Sequence, residues 1–388
     1  MQEVFCNNAL RIADVAGRDS QAALQLVLRH YTAEERQSQI NTALRGGATT
    51  LSTSTAPSSL AKQTLLGAWR ANVLVGAVHY HIQPGKTAWF LLPRLAVGEP
   101  ISTASLLMET AYRRLVQRGV RLVQVVLDGD GDDAIDEATT HENTELLRLG
   151  GLVRLTDVCY LVSPADVVPA SHNKRWATAA SERLGVHSVE EARNDDCAKG
   201  KSESLLGGVR FEPYHDRDGS RLQSVMESTY AGADECIGLE TAQDAKDLFN
   251  SHRMQHAFNP DHWLIVRHQR RDIGCLLLVD HPSVDLIELL YLGLIPEARG
   301  HGLGRALLVH AQRITQRLGR SLLVAAVDAC NGPAMETYTA CGFRTWRRRR
   351  LFVRTLLPGN APSAVSAEEP PSVSTGFPPL PMDFERKD

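Results

Sequence analysis

The sequence lacks a strong net charge, long apolar runs and paired cysteines, and each absence excludes a class of protein. Its 388 residues carry 42 Lys and Arg against 45 Asp and Glu, a formal net charge of −3, which gives no overall attraction to nucleic acid or an anionic membrane. No run approaches the ~18 apolar residues that a membrane span requires. The seven cysteines contain no C-x-x-C pair, which argues against a zinc site or a disulfide framework.

The beginning of the sequence, MQEVFCNNALRIADV, lacks a basic segment followed by an apolar one. We therefore expect no secretory signal peptide, and together with the unpaired cysteines this predicts a protein of the reducing cytoplasm. Hydrophobic residues make up 43% of the chain, which is enough for two domains with buried cores.

Two polar segments divide the chain. The composition predicts a linker over 166–207 and a disordered, proline-rich tail over 358–388. The remaining segments, 1–165 and 208–357, repeat one order of predicted elements: a strand pair, a long strand, a helix, a strand, a short helix and a strand. The repeat indicates an internal duplication. The predicted fold is α/β, with two tandem domains that each have a mixed, mostly antiparallel sheet flanked by helices.

A glycine-rich stretch, EARGHGLGRALL at 297–308, leads directly into an apolar helix pattern. Gly300, Gly302 and Gly304 precede the helix, and a helix that begins at such a turn presents backbone N–H groups to an anionic ligand, usually a phosphate. The missing side chains let the ligand approach closely. The first half has VGEPISTAS at the matching place, so we expect it to lack this site.

A second block, NGPAMETYTACGF at 331–343, predicts a short helix. Asn331 stands just before Gly-Pro, a typical helix N-cap. Asn331, Ala334 and Tyr338 fall on one helical face, where an amide and a phenol could lie along one ligand. The alternative is that Tyr338 is a core tyrosine.

Glu288 lies in the apolar strand pattern DLIELLYLGLIP. Burying an acid is costly, and burial would raise its pKa toward that of a usable general base. The alternative is that Glu288 faces solvent or pairs with an arginine. A run of four arginines at 347–350 is predicted to lie on a strand at a solvated edge.

These motifs together resemble the GNAT superfamily of acyl-CoA-dependent N-acyltransferases. Arg299, Gly302 and Gly304 match R-x-x-G-x-G, and the block at 331–343 matches N-x-x-A-x-x-x-Y-x-x-x-G-F. The resemblance covers about 208–357. It implies that the turn cradles the pyrophosphate of coenzyme A and that the preceding strand separates from its neighbour, so that its backbone groups bind the acetyl carbonyl and the pantetheine.

The resemblance also implies the site residues. Glu288 would take the proton of the attacking amine, and the Tyr338 hydroxyl would protonate the departing thiolate. The implied coenzyme-binding residues are Leu292, Gly293, Leu294, Ile295, Arg299, Gly300, His301, Gly302, Leu303, Gly304, Arg305, Asn331 and Ala334.

We therefore expect a metal-free N-acetyltransferase that passes an acetyl group from acetyl-CoA to a primary amine by direct attack, as a monomer or homodimer. The C-terminal half would be active and the N-terminal half degenerate, with the acceptor bound around Tyr230–Asp261 and in the cleft between the domains. Two alternatives stay open. The acceptor could be a protein N-terminus or lysine, or the chain could be a non-catalytic acyl-CoA sensor or scaffold.

Overall fold

The structure is a computed structural model, and it describes residues 10–15, 17, 19–31, 33, 36, 37, 40, 63–83, 86–128, 137–165, 204–206, 209–230 and 259–356. The predicted tail lies outside the described residues, as do most of the predicted linker and most of the predicted acceptor segment.

The two halves have the same order of elements from their strand pairs onward, as the sequence predicted. The described elements of the N-terminal half are β1 (Arg11–Asp14), α1 (Asp19–Val27), β2 (Gln63–Arg70), β3 (Val73–Gln83), β4 (Thr87–Leu95), α2 (Ser102–Gln117), β5 (Leu122–Asp128), α3 (Glu137–Leu149) and β6 (Val153–Pro164). Those of the C-terminal half are β7 (Ser204–Leu206), β8 (Val209–Pro213), α4 (Gly219–Tyr230), β9 (Trp263–His268), β10 (Arg271–His281), β11 (Leu286–Leu294), α5 (Leu303–Arg317), β12 (Leu322–Asp328), α6 (Gly332–Ala340) and β13 (Arg344–Thr355).

The strands of both halves join in one sheet. The described strands are ordered β1-β2-β3-β4-β5-β13-β6-β12-β11-β10-β9-β8-β7. Within it β4 and β5, and likewise β11 and β12, are parallel neighbours, whereas the other pairs are antiparallel. The predicted α/β fold with a mixed, mostly antiparallel sheet and flanking helices is therefore confirmed, but the expected pair of sheets is continuous.

The last strands of the two halves are exchanged. β13, which ends the C-terminal half, pairs with β5 of the N-terminal half, while β6 of the N-terminal half pairs with β12. β6 and β13 also pair with each other. A shared apolar cluster follows from this exchange, in which Tyr160 of β6 and Leu351 of β13 pack with Val324 of β12.

The arginine run at 347–350 therefore lies in the middle of the sheet, and the prediction of a solvated edge strand is wrong. Arg347 and Arg349 both contact Asp128 at the end of β5, with Nε–Oδ1 distances of 3.1 and 2.8 Å. On the other face Arg348 lies 3.5 Å from Asp157 of β6. Acidic partners on the neighbouring strands thus accommodate the charges of this run.

Each half also has its own helix-covered core. Helix α5 buries residues at helical spacing, among them Leu303, Leu307 and Ala311, against the face of β11 and β12 that carries Ile287 and Leu323. Helix α2 makes the corresponding core of the N-terminal half. The strand that carries Glu288 and the helix that follows the glycine turn are held in this way by ordinary apolar packing.

Candidate active site

The glycine turn begins α5 as the sequence predicted. Gly300 and Gly302 have positive φ values of 74° and 76°, and Gly302 is the N-cap in the left-handed region. A Cβ atom added to either glycine would meet no atom within 4 Å. Because the first N–H groups of a helix have no partner within it, the turn presents donors to open space, which fits an anionic ligand.

The side chain of Arg299 braces this turn. Its Nε donates to the carbonyl oxygen of Leu294 at 3.0 Å, and its Nη2 donates to that of Thr229, the penultimate residue of α4, at 2.6 Å. Its backbone N–H donates to Pro296. The predicted coenzyme-binding arginine is thus bonded to backbone carbonyls on both sides of the turn.

The parallel strands β11 and β12 separate before the chain reaches the glycine turn. β11 pairs with β12 only from Leu286 to Leu289, although β11 continues to Leu294. The backbone N–H of Ile295 is not available to a ligand, because it donates a hydrogen bond to the carbonyl oxygen of Ile273 at 3.0 Å. Backbone direction alternates along a strand, so the N–H groups of Leu292 and Leu294 point to the open side. Four residues, 292–295, were predicted to bind the acetyl carbonyl and pantetheine through their backbone groups. Of these, Leu292 and Leu294 direct their N–H groups to the opening.

Glu288 is buried, with 8% of its surface exposed. Its Oε2 lies 2.9 Å from Nε2 of His281, the last residue of β10. The alternative of a solvent-facing carboxylate is therefore wrong. A β-bulge at Leu290 then places Tyr291 on the same face as Glu288, and the Tyr291 hydroxyl lies 2.7 Å from Oγ1 of Thr229.

Helix α6 brings the second motif beside the turn. Oδ1 of Asn331 accepts a hydrogen bond from the Ala334 N–H at 3.0 Å, which confirms the predicted N-cap. Tyr338 is 7% exposed and lies edge-on to Phe343, with ring centroids 5.0 Å apart. A Cβ atom at position 304 would lie 3.6 Å from Cγ2 of Thr337, so the first turn of α5 is next to α6.

Glu288 and Tyr338 lie on opposite faces of the sheet. Tyr338 belongs to the core under α5, together with Ile287 and Leu289, and strand alternation puts Glu288 on the other face. The opening between β11 and β12 is therefore the place where one molecule could contact groups from both faces.

The N-terminal half has different residues at the matching places. Leu152 N–H donates to Leu147 at the end of α3 just as Phe343 N–H donates to Tyr338 at the end of α6, so Leu147 is the counterpart of Tyr338. Strand pairing makes Trp89 the counterpart of Glu288. The glycine N-cap has no counterpart either, because the N-cap of α2 is Ile101 in a right-handed conformation.

The end of β4 in the N-terminal half is also covered by charged side chains. Arg94 donates to Oδ1 of Asn143 in α3 at 2.7 Å. Arg29, which follows α1, donates to the carbonyl oxygen of Leu95 at 2.8 Å and makes a two-point ion pair with Glu142 at 2.5 and 2.6 Å. These contacts join α1, α3 and β4 where the C-terminal half has its opening.

Sequence reasoning missed two features of this site. His281 gave no signal, because a single histidine at a strand end has no motif, and only the strand register brings it to Glu288. The bracing contacts of Arg299 were also not predicted. Of the predicted acceptor segment, Tyr230 and residues 259–261 are described. The Tyr230 ring lies 5.7 Å from that of Tyr291.

Two further observations are limited to the described part of the chain. It contains no group of three or more His, Cys, Asp or Glu side chains placed to hold a metal ion. In that same part, no helix combines the length and apolar character needed to cross a membrane.

An open parallel pair followed by a glycine-capped helix is the arrangement that the resemblance to the N-acyltransferase class implied. Comparison with known proteins agrees, since residues 229–343 match the Acetyltransferase (GNAT) family. The segment 229–343 therefore belongs to the acetyltransferase (GNAT) family, which confirms the resemblance drawn from its motifs.

Among curated proteins, the chain is 39% identical over 74 residues to a mycothiol acetyltransferase of Acidothermus cellulolyticus, a match that covers 19% of this chain and 23% of that protein. Such matches thus span about a quarter of the relatives' length or less. Among solved structures, a GCN5-related N-acetyltransferase from Sphaerobacter thermophilus has a TM-score of 0.52 and 13% identity, covering 90% of this chain and 97% of that one.

A second solved structure is a GCN5-related glucosamine N-acetyltransferase region of a fungal multi-domain protein. It has a TM-score of 0.54 and 14% identity, covering 91% of this chain and 39% of that one. At these identities the two structures establish likeness of fold. The likeness extends over both halves of this chain, because both alignments cover about nine-tenths of it.

Proposed function

We propose that the C-terminal half transfers an acetyl group from acetyl-CoA to a primary amine, and that the N-terminal half is not catalytic. The observation that carries this proposal is the opening between β11 and β12, which has Glu288 on one face of the sheet and Tyr338 with the glycine turn on the other. The N-terminal half has Trp89 and Leu147 at the matching places.

The turn at 299–305 would hold the pyrophosphate of the coenzyme. Its support is the open space at Gly300 and Gly302 and the unpaired donors at the start of α5. The N–H groups of Leu292 and Leu294 would donate to the acetyl carbonyl oxygen and stabilise the negative charge that develops there. Asn331, as the cap of α6, would bring the start of that helix to the ligand.

The reaction would proceed by direct attack. The amine nitrogen forms a bond to the thioester carbonyl carbon, and the Glu288 carboxylate takes a proton from that nitrogen, directly or through water. The carbon–sulfur bond breaks, and the thiolate takes a proton from the Tyr338 hydroxyl. A phenol is protonated at neutral pH, so it is ready to donate. The products are an amide and the thiol of coenzyme A.

The relatives support the choice of acyl group and of reaction. The matching family is described as acetyltransferases, and the curated relatives are called mycothiol acetyltransferases. The acceptor of this chain is proposed by class, as a primary amine. Protein N-termini and lysines share that chemistry and therefore belong in the test beside small amines.

The first experiment is a calorimetric titration of acetyl-CoA into the full chain and into the double variant Gly302→Val/Gly304→Leu. We expect the full chain to bind acetyl-CoA at one site per chain. We expect the double variant to lose this binding. Gly319→Val is the matched control, since Gly319 follows the same helix, has a φ of 65° and has open space at its Cβ position. It imposes similar backbone strain away from the turn and should bind normally.

The titration is followed by an assay for free coenzyme thiol with acetyl-CoA and a panel of amino sugars, amino acids, polyamines and short peptides. Turnover with a member of the panel supports the enzyme. Two binding sites per chain would contradict the silent N-terminal half. Binding with no turnover on any amine would favour an acyl-CoA sensor, and no binding would refute the acyltransferase proposal.

A further inference from the structure

The described residues place one more polar side chain against the proposed general base. His281 ends β10, and Glu288 lies two residues into β11, on the facing strand of the same hairpin. Nε2 of His281 and Oε2 of Glu288 are 2.9 Å apart, and the two residues are only 4% and 8% exposed. This is hydrogen-bond distance between two side chains that are almost completely removed from water.

Such a contact controls a buried carboxylate in two ways. An ionised Glu288 can only accept hydrogen bonds. The imidazole Nε2–H is then the donor, and this bond favours the charged, proton-accepting form of the carboxylate. The bond also fixes the direction of the carboxylate plane. A general base has to lie within hydrogen-bond distance of the proton that it accepts. A carboxylate that rotates freely would adopt that orientation less often.

The hairpin that carries His281 is itself held in place. The chain turns through a short 3₁₀ segment, Pro282–Val284, to Asp285, which has a left-handed φ of 56°. The carboxylate of Asp285 accepts hydrogen bonds from the backbone N–H and the hydroxyl of Ser321, just before β12, at 3.2 and 2.5 Å. These hydrogen bonds connect the turn to the start of β12. They therefore fix the end of β10, where His281 contacts Glu288.

The N-terminal half offers an internal comparison. Gln83 ends β3 as His281 ends β10, and Trp89 stands where Glu288 stands. The Gln83 amide lies 2.8 Å from Nδ1 of His81 on its own strand. The half that lacks the carboxylate thus also lacks the histidine, and its residue at that place contacts a different partner. In this comparison the histidine and the carboxylate are therefore present together in one half and absent together in the other.

We infer that His281 is a positioning residue, which holds the Glu288 carboxylate ionised and aimed at the amine proton through its Nε2–H. This inference rests on the proposed function, since it gives His281 a role only through Glu288. His281 does not touch the reacting atoms, and the proton of the amine goes to Glu288 and from there to solvent.

Two other titratable groups that the structure describes near the hairpin, Asp280 and His262, have other surroundings. Asp280, the neighbour of His281 in β10, faces the opposite side of the sheet and pairs with Arg320 at 2.6 Å. Burial lowers the pKa of His262, which precedes β9, against the opposing charges of Asp280 and Asp261. On β12 the residue beside Glu288 is Val324. On the face of β11 that carries Glu288, the Tyr291 hydroxyl lies 2.7 Å from Oγ1 of Thr229. The test below measures how the contact with His281 affects the pH dependence of Glu288.

The test compares His281→Leu with His281→Gln in the full chain, with acetyl-CoA and the panel amine that gives the fastest turnover. Gln can present an amide N–H near the place of Nε2, whereas Leu cannot donate. We expect His281→Leu to lower kcat by about tenfold or more with an unchanged KM for acetyl-CoA. We also expect the acidic limb of the kcat/KM profile to move to higher pH, because the carboxylate loses a donor. His281→Gln should stay close to wild type in both measurements.

The variants Glu288→Gln and His281→Leu/Glu288→Gln complete a cycle. If His281 acts through Glu288, the double variant is no slower than Glu288→Gln alone. Thermal unfolding of each variant separates loss of folded protein from loss of rate, and imidazole ¹⁵N chemical shifts in wild type and Glu288→Gln report the contact without any acceptor.

The outcomes distinguish this inference from the proposed function. Loss of activity in Glu288→Gln with full activity in His281→Leu overturns the role of His281 alone. Equal loss in His281→Leu and His281→Gln also overturns it, because His281 would then have to carry a proton itself. Full activity in Glu288→Gln, or no turnover with any amine, refutes the base assignment and the role of His281 with it.

Discussion

The guanidinium of Arg299 donates a hydrogen bond of 2.6 Å to the carbonyl oxygen of Thr229, near the end of α4. A second bond of 3.0 Å reaches Leu294 at the end of β11. A single side chain thus joins the glycine turn to the strand before it and to α4, whose last residue, Tyr230, begins the predicted acceptor segment.

Replacing Arg299 by Met should therefore destabilise the protein as well as weaken coenzyme binding. Loss of two hydrogen bonds from a charged donor is expected to lower the free energy of unfolding by about 2 kcal/mol, and Kd for acetyl-CoA should rise. Urea unfolding and calorimetry measure the two effects. Arg305→Met also removes a charge from this region and is the control for the stability measurement, because Arg305 lies in the first turn of α5. A variant Arg299→Met as stable as Arg305→Met would show that the brace is unimportant.

Substitution of the two glycines that flank Leu303 should affect stability differently but weaken coenzyme binding in both cases. Gly302 has a φ of 76°, so Gly302→Ala is expected to lower stability by about 1 kcal/mol. Gly304 lies inside the helix, where a Cβ atom would make an ordinary contact of 3.6 Å with Thr337, so Gly304→Ala should be at least as stable as wild type. Both changes should weaken acetyl-CoA binding by about tenfold. Wild-type binding by Gly304→Ala would remove the start of α5 from the coenzyme site.

Tyr338→Phe should slow turnover by about a hundredfold and leave coenzyme affinity almost unchanged. Phe keeps the edge-on ring contact with Phe343 and removes only the hydroxyl. Steady-state kinetics and calorimetry on the same preparation measure both effects. Tyr80→Phe, a fully buried change in the N-terminal half, is the matched control. Unchanged kcat in Tyr338→Phe would exclude the phenol as the proton donor.

The ion pair of the N-terminal half predicts a pH-dependent stability. Burial alone would raise the pKa of Glu142, but hydrogen bonds and charges from His30, Arg94 and Arg29 outweigh it and lower the pKa to about 2. Because the pKa is lower in the folded protein than in the unfolded chain, the stabilisation is complete above about pH 4.5 and is lost as the pH falls toward 2. Glu142→Gln should therefore be less stable than wild type at pH 7, by about 2 kcal/mol after allowance for solvent screening.

Urea unfolding of wild type and Glu142→Gln at pH 7, 5, 4 and 3 measures this difference, which should narrow below pH 4.5. Glu145→Gln is the control, because Glu145 is on the same helix and pairs with Arg148 at the surface, where an ion pair contributes little. A difference that stays constant across the series would mean that the Glu142 charge is not what stabilises this region.

Much of this molecule could be predicted from local patterns. The helical spacing after the glycine turn placed α5, and the Gly-Pro step after Asn331 placed the N-cap of α6. The acid in the apolar strand pattern drew attention to Glu288, and the structure shows that it is buried. Such features depend on residues that are close together in the chain, so the sequence displays them directly.

The features that were not predicted depend on contacts between distant segments. Nothing in the pattern of β13 tells that its arginines meet Asp128 across the sheet, more than 200 residues away in the chain. The direction of the Arg299 side chain depends on where α4 ends, and the meeting of His281 with Glu288 depends on strand register. Tertiary packing determines these contacts, and the periodicity of the sequence does not reveal which distant segments pack together.

The exchange of β6 and β13 places the last strand of each half between strands of the other half. Removing the first 165 residues would take away the strand that lies beside β12 and leave β13 without either of its neighbours. The two copies can therefore diverge freely in chemistry but not in the pairing of their final strands. Whatever chemistry each half performs, the N-terminal half supplies strands to the sheet on which the C-terminal half is built.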